Sequence, residues 1–174
     1  MFRLLIILLL FPVQEKERLK KARDLFFSFE VDKQAPARLE RLVKNYEDNP
    51  LFEAYLGVSI AAAANQQTSP VSRYNKFTEG KKLVENAIDR SPENPEIRFI
   101  RLSIQSEAPA FLVYNNDIDQ DKEMILRSLN KNHSVFADQN FRRKVLLFLR
   151  QKVYLTPQER FMTTRLMNQT SLTP

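Results

Sequence analysis

Arg98, Arg101 and Gln105 stand at spacings of three and four, which places them on one face of a helix. Two guanidinium forks and an amide on one face suit a carboxylate or a phosphate, because each fork offers paired N–H donors. Tyr114, Asn115 and Asn116 follow closely and add polar groups. Arg98, Arg101, Gln105, Tyr114 and Asn115 are therefore the candidate partner-binding residues. The alternative is internal pairing, with Glu96, Asp117 or Asp121 accepting from the arginines and fastening the next hairpin. The sequence leaves both readings open.

Other chemistry-bearing groups are thinner. Asp117, Asp119, Asp121 and Glu123 alternate as calcium ligands do, but the turn glycine is missing and Lys122 divides the last two acids. Negative charge at a helix N-terminus accounts for them better. The chain has no Cys and one His, His133, so disulfides, thiolate nucleophiles and sites needing two imidazoles are excluded. No GxSxG, GxxxxGK[ST] or HExxH motif occurs. The expectation is a protein that is not an enzyme and carries no cofactor or metal.

The formal charge of +6 is unevenly placed: from Lys122 onward ten Lys/Arg face three Asp/Glu. Arg142, Arg143, Lys144, Arg150 and Lys152 concentrate that excess, and such a surface neutralises phosphates of nucleic acid or anionic lipid. The same segment carries Phe141, Val145, Phe148 and Leu149 at core spacing, so a solvated cationic face on a core helix is the plainer reading.

These groups need elements to hold them, and the composition specifies helices. Gly occurs twice and Pro nine times, with no Asn-Gly or Asp-Gly pair, which disfavours tight strand hairpins and suits helices punctuated by proline. Apolar periodicity predicts helices at 15–29, 35–46, 51–64, 78–89, 95–105, 117–129, 137–152 and 157–168. The stretch 65–77 reads as a polar interruption, and 108–116 as a connection pinned against the core. Thr156-Pro157-Gln158-Glu159 is a capping box with proline at the first helical position, the sharpest local signal.

Aligning Asn49-Pro50 with Asn94-Pro95 sets Leu39 on Val84, Leu42 on Ala87, Val43 on Ile88, Phe52 on Ile97 and Tyr55 on Ile100, an internal period of 45 residues. The second copy resembles the tetratricopeptide repeat: Gly80, Val84, Ala87 and Pro92 stand at the offsets of that family's second helix, and Leu56-Gly57 is similar to its Leu-Gly pair. The likeness spans about residues 36–106, is broken by the 65–77 insertion, and lacks the family's Trp. It implies antiparallel helical hairpins in a right-handed α–α superhelix. The chain also resembles the small exported helical-repeat proteins of Bacteroidota-type bacteria.

Met1-Phe2-Arg3 followed by an apolar run, Leu4 to Phe11, ends at Pro12. Eight apolar residues are too few for a bilayer core, which takes about 20 in a helix, and they match the n- and h-regions of a signal peptide. The expected organisation is a leader over 1–14 and one all-α domain over 15–174, exported to the periplasm or beyond. The expected function is a non-enzymatic scaffold for a protein or peptide partner, without nucleic acid. The alternative is a peripheral envelope protein whose basic C-terminal third meets a membrane surface of anionic lipid.

Overall fold

The structure, a computed structural model, describes residues 2–171, and these form an all-α fold. In chain order the helices are α1 (Phe2–Phe26), α2 (Ala35–Val43), α3 (Pro50–Ala63), α4 (Pro70–Arg90), α5 (Pro95–Glu107), α6 (Ile118–Asn130), α7 (Gln139–Lys152) and α8 (Pro157–Ser171). Short 3-10 turns follow α3, α5 and α6. Among the described residues no helix is long and apolar enough to cross a membrane.

Side-chain caps explain most of the helix starts. Asn49 and Asn94, one period apart, each accept from the N–H of the second residue of a helix that opens with proline, both at 2.9 Å. Asp138 caps α7 by accepting from Asn140 and Phe141 at 2.9 and 3.1 Å. In the predicted capping box the Thr156 N–H donates to Glu159 at 2.7 Å, and the Glu159 N–H donates back to the Thr156 hydroxyl at 3.3 Å. Thr156→Ala is expected to lower stability by about 1 kcal/mol, read as a shift in urea midpoint. An unchanged midpoint would show that the box carries no energy.

Several boundaries differ from the sequence reading. The polar interruption is confined to 64–69, because Ser69 accepts from the Ser72 N–H at 3.2 Å and starts α4 at Pro70, more than two turns before Thr78. The first predicted helix ends at Phe26 rather than Phe29, in a chain of turns. It also begins earlier: of the predicted leader, residue 1 lies outside the described residues and residues 2–14 belong to α1.

Packing runs mainly between successive helices. The most intimate pair is α3 with α4, where Gly57 and Gly80 face each other. A methyl group built on Gly57 would meet the Gly80 carbonyl and a Val84 methyl, each at 2.7 Å. The core then continues through Leu39, Tyr55, Val84, Ile97, Phe99, Ile125, Val145 and Leu149, all fully buried. Glu96 is also fully buried, and its carboxylate joins three helices: Arg23 of α1 donates twice, at 2.8 and 2.6 Å, and the Tyr55 hydroxyl of α3 donates at 2.7 Å. Burial and the adjacent Glu96 charge hold the Tyr55 phenol well above its ordinary range, so it stays a donor.

Candidate functional site

The arginine face of α5 meets α6 and not open solvent. Arg101 grips Asp121 with a fork, Nε to one oxygen at 2.7 Å and a terminal nitrogen to the other at 2.8 Å, while Arg98 reaches the same carboxylate at 3.0 Å. Asp121 is fully buried, and Arg98 and Arg101 are 7 and 4% exposed. Arg101 also donates to Glu85 of α4 at 3.0 Å, and the Gln105 amide donates to Asp117 at 3.0 Å. Tyr114 closes the cluster by donating its hydroxyl to Glu85. Burial first, and the Glu85 bond second, push this phenol well above its usual range.

Of the five predicted residues the structure thus gathers Arg98, Arg101, Gln105 and Tyr114 into one ion-pair cluster joining α4, α5 and α6. Asn115 stays exposed beside it. The guanidinium donors are taken up by Asp121, Glu85 and the Pro92 carbonyl, so the geometry matches the internal pairing with Asp117 and Asp121. Glu96 pairs elsewhere, with Arg23. The alternating acids separate as well: Asp121 lies beneath the arginines, whereas Asp119 is exposed and bridges to Lys122 at 3.0 Å.

The basic residues of α7 do not share one face. Lys144 pairs with Asp24, Lys152 with Glu30 and Glu107, and Arg150 touches the Met167 sulfur. Arg142 is 5% exposed, and burial lowers its guanidinium from the ordinary value. Of the five, only Arg143 is both exposed and without a partner among the described residues.

The main recess was not foreseen in the sequence. A groove of about 1040 Å³ opens where the last turns of α1, α3, α5 and α7 come together with the start of α4. Its walls are Phe26 at the end of α1, Phe27 and Phe29 in the turns that follow it, Ala61 and Ala62 from α3, Tyr74 and Phe77 from α4, Ile104 from α5 and Phe148 from α7. The small side chains of Ala61 and Ala62 leave the space that the rings surround. Phe99 braces the wall from behind, its ring 5.9 Å from Phe27 and 5.3 Å from Phe148. Phe111, on the connection after α5, overhangs the rim at 80% exposure.

That connection is held at one end by Tyr114, which packs edge-on against Phe77 at 5.9 Å. Val113 beside it takes a φ of 46°, a region a β-branched residue rarely visits. A shallower depression of about 660 Å³ lies between α1 and α2, lined by charged side chains including Lys21, Asp24, Arg38 and Arg41. The groove is the deeper and more enclosed of the two, with the size and mostly apolar lining of a binding site, whereas the depression lies open to solvent. Periodicity shows which residues leave a helix on its inner side, but not that four helix ends will meet.

Compared with known proteins, the chain matches no family model, no curated protein and no solved structure.

Proposed function

We propose that this chain is a non-enzymatic scaffold that holds a segment of a protein or peptide partner in the groove. The observation that carries the reading is the groove itself, an aromatic-walled recess to which α1, α3, α5 and α7 each contribute. Taken as hairpins, α1 with α2, α3 with α4, α5 with α6 and α7 with α8, the chain offers the first helix of each pair to one inner surface. A tetratricopeptide-like superhelix would present its partner-binding face in this way. The cationic start and apolar run before Pro12 support export, and with it a partner in the envelope or beyond. The scattered directions of the α7 cations favour a groove partner over a flat anionic membrane.

Photo-crosslinking in the native host tests the proposal. A benzophenone amino acid at Tyr74 or Phe111, on the groove, is expected to trap a discrete adduct, whereas one at Tyr154, exposed on the α7–α8 turn, is not. Adding Ala62→Trp to fill the groove should reduce the adduct at least about tenfold, roughly 1.4 kcal/mol of affinity. Equal labelling from all three positions, or from none, would defeat the reading.

A further inference from the structure

The groove's charges are not balanced, and their imbalance says what kind of segment fits. Its lining holds four cations, Lys33, Arg73, Lys144 and Lys152, and two carboxylates, Glu30 and Glu107. Lys152 sits between both carboxylates, 2.7 Å from Glu30 and 3.1 Å from Glu107, and Lys144 pairs with Asp24 at 3.0 Å. Those charges are matched within the fold. Lys33 and Arg73 have no carboxylate partner among the described residues; Arg73 donates through Nε to the Gln67 carbonyl at 2.7 Å, which leaves its charge uncompensated.

The two cations flank one turn. The Gln66 amide donates to the Lys33 carbonyl at 2.8 Å, so Gln66 and Gln67 bridge from the α1–α2 connection to the start of α4. The carbonyl ends of the surrounding helices contribute only fractional negative charge that fades within a turn. Lys33 and Arg73 carry full charges and are exposed, so the positive sign at this end prevails.

The polar groups on the walls point to a main chain as the occupant. Asn65 and Gln151 line the groove with side-chain amides that have no partner in the described structure. Each amide both donates and accepts, which matches peptide N–H and C=O groups spaced along a segment. Both amides are exposed, so a peptide backbone can bond to them in place of water, whereas an acyl chain, polar at one end only, offers them nothing along its length. Resting on the groove as a peptide site, we infer that the occupant is an apolar, aromatic- or leucine-bearing peptide segment with acidic residues at one end. Its apolar side chains lie on the Phe27, Phe77 and Phe148 wall, and its carboxylates face Lys33 and Arg73.

Fluorescence anisotropy on the full chain decides it, with a fluorescein-labelled dodecapeptide bearing Leu and Phe along its length and two Glu at one end. Counterparts carry two Gln or two Lys in place of the Glu. The Glu peptide is expected to bind about five- to tenfold more tightly than the Gln peptide, as two exposed charge pairs allow, and the Lys peptide more weakly still. The difference should shrink as salt rises, since the Debye length is about 8 Å at 0.15 M. The Lys33→Glu, Arg73→Glu double variant should reverse the order while its melting curve stays in place, because both side chains are exposed.

Equal binding of all three peptides, abolished by Ala62→Trp, would overturn the acidic preference and leave the groove as a peptide site. Binding of none would overturn both. Uptake of dansyl-undecanoate, with no peptide competing, would replace the peptide by an acyl chain and overturn both as well.

Discussion

Asp121→Ala is expected to lower the unfolding free energy by about 3–5 kcal/mol, because it leaves two buried guanidinium groups without their shared carboxylate. Asp121 is fully buried and accepts from Arg98 once and from Arg101 twice. Arg101 retains Glu85 at 3.0 Å, so part of its charge stays matched, while Arg98 keeps only the Pro92 carbonyl. In a chain of this length each kcal/mol moves the melting temperature by roughly 2–4 °C, so a fall of about 6–20 °C should appear. A variant that replaces Arg98, Arg101 and Asp121 together by Met, Leu and Leu should lose less than Asp121→Ala alone, since no charge is then stranded. If the triple variant falls further than the single one, the cluster stabilises through packing and not through pairing.

Gly80→Ala should also destabilise, by about 2 kcal/mol, although alanine is the better helix former by about 1 kcal/mol. Its methyl group would press on the Gly57 carbonyl, lie 2.5 Å from the Ala61 backbone nitrogen and 2.9 Å from the Ala61 methyl. Two of those neighbours are backbone atoms of α3, which cannot swing aside as a side-chain tip would. The two helices must therefore separate, and the loss of contact along their length outweighs the gain in helix propensity. Gly80→Val should be worse, and Gly57→Ala similar to Gly80→Ala. A Gly80→Ala protein that melts higher than the parent would mean that α3 and α4 shift apart freely.

Local signals were legible in the sequence, and convergence was not. Asn49-Pro50, Asn94-Pro95 and Thr156-Pro157 each announce a helix start, because a side-chain acceptor and a residue without an N–H solve the same end problem. Ser69-Pro70 has the same form, yet the thin apolar stripe of Val71 to Phe77 hid it, since Tyr74 and Phe77 line the groove and Val71 is exposed, and none of them is buried in the core. Gly80, visible in the sequence as a position of the repeat frame, lies against Gly57 where α3 and α4 touch. The arginine face could be read from spacing alone, but spacing does not say which carboxylate it will meet. Arg23 with Glu96 spans 73 residues, and the groove draws its walls from α1 to α7. No local pattern encodes separations of that kind.

Both glycines of the chain are found at one place, where α3 and α4 touch, and neither has a positive φ. Every turn is therefore built from residues with a Cβ, many of them beside one of the nine prolines. Such a chain has fewer conformations open to it when unfolded than one whose turns are made of glycine. Its connections consequently lose less freedom on ordering, and that advantage resides in the denatured ensemble, where no contact of the folded molecule records it.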